Sequence, residues 1–396
     1  MNNNKGFDKM LIFIITVLFL IGEVLIASAI HVNDGASPKR LFIQFASFVL
    51  GLIFVGAMNI INYDDFKKYY KHIYAVAIFA LLLVYVPGLG VVRGGARGWI
   101  DLKVIDFQPI EIAKIAFILV FASYLEKHSG NINTLKEIIK AALIPMPIIL
   151  LLMKQPDLGG AIVFFCIVFG MLFLAQINMR IVNRIVVSIV LSFPIIYLYV
   201  LDKILSLYQM QRIKNFFEPS SGDNYQVFRS IVAISSGGLF GKGPFAGTQN
   251  NLGFLSVSDS DFIFAVCGEE YGVIGMVILV AIYFLFLTRI LYIAQTSKDL
   301  YGSLIVMGIL SMFIYQFVQN IGITMGIMPV TGLPLPFVSY GGSSMLMSMI
   351  SIGLVENVAS KRRRMMTSRR PPGHEAISRT RSSGSSPTMA QWQVGV

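Results

Sequence analysis

Charge is scarce in this chain. Only 13% of its 396 residues are Asp, Glu, Lys or Arg, whereas 55% are hydrophobic. With a mean hydropathy of +0.71, this excludes a soluble domain and indicates a polytopic membrane protein. Cysteine is nearly absent: Cys166 and Cys267 both lie in apolar runs, which excludes a disulfide framework. The histidines, His31, His72, His128 and His374, are scattered without metal-ligand spacing. No cleavable signal peptide is evident, because the first apolar run is long enough to span a bilayer.

What is present is a succession of apolar runs. They predict an all-α polytopic membrane protein of about ten transmembrane helices, near residues 10–30, 41–61, 71–90, 108–125, 138–153, 159–177, 182–201, 262–292, 301–327 and 341–359. Pro145 and Pro147 predict a kink in the fifth. The eighth pattern is too long for a perpendicular span, so it tilts or projects into the cytoplasm. A large extracytoplasmic loop, 202–261, joins helices 7 and 8. Residues 366–396 are rich in Arg, Ser, Pro and Gly and predict a disordered tail beyond a 1–365 membrane domain.

The net charge of +11 acquires meaning from its location. One set of short loops holds Lys67, Lys68 and Lys71, then Lys127, Lys136 and Lys140, then Arg180 and Arg184, then Arg289 and Lys298. The block Lys361, Arg362, Arg363, Arg364 falls on the same side. That side is expected to be cytoplasmic, with both termini inside, and no nucleic-acid partner is implied. The outer side carries Arg93, Arg97, Lys103, Lys154, Arg212, Lys214, Arg229 and Lys242. These are either solvated loop charges or an outward-facing basic cavity for an anionic ligand such as a lipid phosphate.

Several polar stretches stand at membrane boundaries. In LSVSDSDFIFAVCGEEYG, Leu255–Gly272, a polar run stops at Asp261 and an apolar helix pattern starts at Phe262. Asp261 is either a helix cap or a functional carboxylate, and Glu269 and Glu270 follow about two turns deeper. In QPIEIAK, Glu111 and Lys114 share a helix face and can pair. In KQPDLGG, Asp157 either caps a helix or serves the same outer boundary. The glycine cluster GLFGKGPFAG lacks the following helix that a phosphate cradle needs. The apolar, proline-broken segment from Met325 to Ser344 predicts a re-entrant loop lining a cavity, with Ser339, Tyr340, Ser343 and Ser344 placing hydroxyls there.

These pieces, in order, resemble the SEDS family of bacterial cell-wall proteins, which includes RodA, FtsW and SpoVE. The matching stretches are GARGWIDL, FQPIEIAK, QPDLGGA, YQVFRSIVAISSGGLFGKG, DFIFAVCGEEYGVIG and PVTGLPLPFVSYGGSS. The KGPFAGTQ wording is more similar to the RodA branch. Two departures stand out: Ser256 and Val257 replace the family's Pro-Glu, and Ile110 replaces a serine.

The resemblance implies a ten-helix peptidoglycan glycosyltransferase of the bacterial cytoplasmic membrane that polymerises lipid II, and a class B penicillin-binding protein as partner. It places the essential aspartate at Asp261 and the family's intramembrane pair at Glu111 and Lys114. Asp261 is expected to act as general base toward the acceptor hydroxyl, with inversion and no covalent nucleophile. Arg93, Arg97, Lys114, Arg212 and Lys242 are candidates for the leaving pyrophosphate, and Ser339 and Ser343 for further substrate contacts. A Mg2+ or Mn2+ ion can share that task, although no dedicated metal site is visible. A precursor flippase is the rival reading, and a pure scaffold would leave Asp261 unexplained.

Overall fold

A computed structural model describes residues 7–31, 39–93, 95–101, 106–129, 135–175, 187, 191, 210, 225–255 and 257–368. The predicted span at 182–201 apart from residues 187 and 191, together with Lys103, Arg180, Arg184, Arg212, Lys214, Ser256 and the tail from residue 369, lies outside the described residues.

Among the described residues, the apolar runs form helices close to where hydropathy places them. The first part of the chain gives α1 (Lys9–Ile30), α2 (Lys39–Met58), a short 3-10 helix (Tyr63–Tyr69), α3 (Tyr70–Leu83) and α4 (Pro109–Lys127). Then come α5 (Leu135–Ala142), α6 (Met146–Lys154) and α7 (Leu158–Leu174). The last part gives α8 (Tyr225–Gly237), α9 (Thr248–Asn251), α10 (Ile263–Gln295), α11 (Leu300–Thr324) and α12 (Gly342–Ser368). Among the described residues, α1, α2, α10 and α11 are long and apolar enough to cross a membrane, and α7 is a shorter apolar helix.

Three departures from the sequence reading have local causes. The third span ends at Leu83 rather than near 90, and the connection to α4 adds strands to the expected all-α fold: β1 (Gly90–Arg93), β2 (Ala96–Asp101) and β3 (Asp106–Phe107) make a three-stranded antiparallel sheet. Val91 pairs with Trp99 and Asp101 with Asp106. The proline pair does more than kink the fifth span; it separates α5 from α6, and Tyr74 donates to the Ile144 carbonyl at 2.6 Å. The third departure is in α10, where Gly272 is non-helical at φ 66°, ψ −164°. The long apolar pattern is therefore a short helix from Ile263 followed by a longer one, which relieves its excess length.

Polar ends organise the bundle. At one end Asp8 accepts from Arg289 at 2.6 Å, and its backbone N–H donates to Glu356 at 2.8 Å, tying α1 to α10 and α12. Tyr63 donates to Asp299 at 2.7 Å and Lys67 pairs with Glu126 at the same distance. Between the ends, Phe286, Phe313 and Phe337 pack as a ring cluster at centroid distances of 5.4–5.7 Å. Gly22 lets α1 press against the chain after α11, since a Cβ there would lie 2.6 Å from the Val338 carbonyl oxygen.

Candidate active site

The end opposite Asp8 contains a cavity of about 1010 Å³. Its wall combines the small sheet, the N-terminal turns of α4 and α7, the approach to α10 and the proline-rich segment 326–344.

Asp261 lies on this wall, half-buried, two residues before α10 begins. The N-cap position belongs to Phe262, whose side chain makes no capping bond. The backbone around Asp261 is held from several directions. Asn320 Nδ2 donates to the Asp261 carbonyl at 3.2 Å and to the Leu333 carbonyl at 3.0 Å. Ser339 Oγ donates to the Ser260 carbonyl at 2.6 Å and accepts from Leu335 N at 2.9 Å. Tyr340 N donates to the Asp259 carbonyl at 2.8 Å. The proline-rich segment thus acts as a brace for the aspartate loop. Ser339 serves that brace and is not on the cavity wall, unlike the substrate role expected of it; Ser343 is on the wall.

The stretch 333–339 of the proline-rich segment is irregular yet deeply buried, with Leu335, Phe337 and Val338 at 1% exposure or less. Its backbone groups therefore need partners from neighbouring helices. Gln44 Nε2 donates to the Ser339 carbonyl and Gln44 Oε1 accepts from Gly341 N. Gln319 donates to the Pro329 carbonyl at 2.9 Å, and Tyr283 donates to that of Pro336. Sequence reading identified the re-entrant segment but missed Gln44, Gln319, Asn320 and Tyr283. The available signal was polar side chains inside apolar spans: three amides and one phenol.

Glu111 and Lys114 line the cavity and meet at 2.9 Å, with side chains 5% and 1% exposed. Helical spacing brings them together, and burial makes each the other's compensation. Asp157, also on the wall, accepts from Gly160 N at 2.8 Å and so caps α7.

Arg40 is the cation that sequence reading did not single out. It lines the cavity, pairs with Asp259 at 2.5 Å and sits 5.6 Å from the Tyr340 ring centroid. Among the described residues, the charged wall comprises Arg40 and Lys114 against Asp106, Glu111, Asp157, Asp259 and Asp261. This differs from the basic cavity expected of the outer loops, because both cations enter the wall already paired with carboxylates.

The other expected phosphate ligands distribute as follows. Arg97 stands on β2 beside the lining residues Gly98 and Trp99 but is not itself on the wall. Arg93 ends β1, and its side chain lies outside the described residues, as does Arg212. Lys242 is away from the wall: its ammonium is bound to Glu269 at 2.7 Å. Burial of Glu269, at 0% exposure, demands that partner. Among the described residues no group of three or more His, Cys, Asp or Glu side chains is placed to hold a metal ion.

The FtsW–RodA–SpoVE family model, described as a cell cycle protein, matches residues 8–364. Peptidoglycan glycosyltransferase MrdB of Escherichia coli K12 is 35% identical over 365 residues, covering 91% of this chain and 95% of that protein. A chain from a peptidoglycan synthase complex, described as coordinating polymerization and crosslinking, superposes with a TM-score of 0.75 at 29% identity. It covers 90% of this chain and 98% of that one. Rod shape determining protein RodA of Thermus thermophilus superposes with a TM-score of 0.67 at 28% identity, with the same coverage.

Proposed function

This chain belongs to the FtsW–RodA–SpoVE family and is an integral membrane peptidoglycan glycosyltransferase; from that premise we propose that it polymerises lipid II at the outer face of the bacterial cytoplasmic membrane. The observation that carries the reading is one cavity of about 1010 Å³ whose wall brings together Asp261, Glu111, Lys114 and Arg40. The acceptor sugar hydroxyl gives its proton to Asp261 as its oxygen attacks the anomeric carbon of the donor. The donor's bond to pyrophosphate breaks on the opposite face, so the centre inverts and no covalent nucleophile is needed. Lys114 and Arg40 are the described cations on the wall that can meet the leaving pyrophosphate. Carboxylates outnumber cations on that wall, which favours a Mg2+ or Mn2+ ion accompanying the pyrophosphate. Chelation with EDTA should then slow consumption of lipid II, and added Mg2+ or Mn2+ should restore it.

The charge bias of the loops supports cytoplasmic termini and an extracytoplasmic cavity. The likeness to a chain of a peptidoglycan synthase complex supports a crosslinking partner, a class B penicillin-binding protein. Purified protein given lipid II should release glycan strands. Folded Asp261→Asn protein should be slower by about 100-fold or more. Lipid translocation without polymerisation would replace this reading with that of a flippase, and near-normal polymerisation by Asp261→Asn would remove Asp261 from the mechanism.

A further inference from the structure

The break in α10 leaves backbone groups that an unbroken helix would satisfy. The glycine-rich turn after α8 takes them up. Lys242 N and Gly243 N donate to the carbonyls of Glu269 and Glu270, each at 3.0 Å. From the far side of the break, Val273 N donates to the Gly238 carbonyl at 3.0 Å and Ile274 N to that of Leu239 at 3.2 Å. The cluster read in sequence as a poor phosphate cradle is thus a backbone clamp around Gly272.

Side chains lock the clamp. Glu269 is wholly buried, yet its carboxylate accepts from Lys242 Nζ at 2.7 Å, Thr248 Oγ1 at 3.0 Å and Gln249 N at 2.9 Å. Lys242 also donates to Thr248 at 2.6 Å. Beside it, Glu270 accepts from Ser28 on α1, and Asn250 Nδ2 donates to the Ser28 carbonyl at 3.1 Å. The short helix from Ile263 to the break at Gly272 is roughly 13 Å long. Asp261 precedes it and Glu269 lies in its last turn before Gly272, so the orientation of the short helix sets where Asp261 stands.

We propose that Lys242 and Glu269 are positioning residues for Asp261: their ion pair fixes the short helix against the outer loop and thereby aims the Asp261 carboxylate into the cavity. This rests on the reading of Asp261 as general base. Lys242 was expected to bind phosphate, and the inference moves its contribution from substrate affinity to alignment. Removing its ammonium leaves a buried carboxylate uncompensated, which loosens the end of the short helix. A misalignment of about 1 Å at the base is enough to cost up to about 100-fold in rate.

The test compares Lys242→Met, Lys242→Arg, Glu269→Gln and Asp261→Asn in the full-length protein with lipid II. Activity is normalised to folded protein by size-exclusion chromatography. Lys242→Met should lower kcat about 10-fold or more while KM stays within about 2-fold. Lys242→Arg should recover most of that loss, and Glu269→Gln should resemble Lys242→Met. Hydrogen exchange should rise in residues 263–271 of Lys242→Met and stay unchanged in 276–290. A raised KM at unchanged kcat would return Lys242 to phosphate binding and overturn the proposal. Normal kcat in Lys242→Met alongside inactive Asp261→Asn would also overturn it while leaving the base intact. Normal kcat in both variants would overturn the base itself and the proposal with it. If Lys242→Met does not fold, Glu269→Gln and Lys242→Arg carry the same comparison.

Discussion

At the residue scale, the cavity shows how burial assigns roles to charges. Glu111 and Lys114 are both buried, and each would be a solitary buried charge without the other. Lys114→Ala should therefore destabilise the protein by about 3 kcal/mol or more, because Glu111 is left behind. Adding Glu111→Gln should recover part of that loss. Thermal unfolding in detergent of both single variants and the double variant measures the coupling, and strict additivity would mean that the pair does not interact. Activity should remain low in the double variant, since Lys114 is also assigned to the pyrophosphate. Arg40 is different: its side chain is 47% exposed while that of Asp259 is 8% exposed. Solvent screening reduces the stabilising value of such a pair, so Arg40→Ala should act mainly on lipid II turnover and little on thermal stability. A large fall in melting temperature with unchanged turnover would contradict the assignment of Arg40 to the substrate.

At the element scale, the decisive feature is the division of α10. Gly272 holds a backbone conformation, φ 66° and ψ −164°, that is essentially restricted to glycine. A Cβ there would also lie 2.6 Å from the Leu239 carbonyl oxygen and overlap Gly241 N. Gly272→Ala should thus cost about 1–3 kcal/mol from the backbone alone, with added loss from the displaced clamp. It should also lower activity, because the turn joins the clamp to the helix after Asp261. Proteolysis and melting in detergent would register the loss, and a variant as stable and active as the parent would mean that the break is dispensable. The break was hidden in the sequence because Gly272 sits inside a continuous helical pattern, where a lone glycine also reads as a packing residue. The α5–α6 division was better signalled, since Pro145 and Pro147 remove donors from the helix.

At the scale of the whole molecule, the two ends differ in kind. One closes over itself with ion pairs such as Asp8–Arg289 and Lys67–Glu126, and the other opens into the cavity, whose wall carries the pairs Arg40–Asp259 and Glu111–Lys114. The loop charges predict that the first faces the cytoplasm. A membrane-impermeant maleimide added to intact cells should label Phe240→Cys, a position 81% exposed beside the cavity end. It should spare Lys298→Cys until the membrane is opened. The opposite labelling pattern would invert the topology.

The sequence by itself determined the membrane class, the positions of most helices in the described chain, and the carboxylates standing at their ends. Those properties are local: hydropathy over about 20 residues, proline chemistry and i,i+3 spacing can be read along the chain. Glu111 and Lys114 were legible for that reason. Tertiary structure decided which distant group compensates each buried polar one. Arg40 meets Asp259 from 219 residues away, and Gln44 reaches the Ser339 carbonyl from 295 residues away. It also decided that Lys242 serves Glu269 and that the glycine cluster clamps a helix break. An unpaired polar group inside the bundle is costly, but that cost names no partner until the fold brings one within reach.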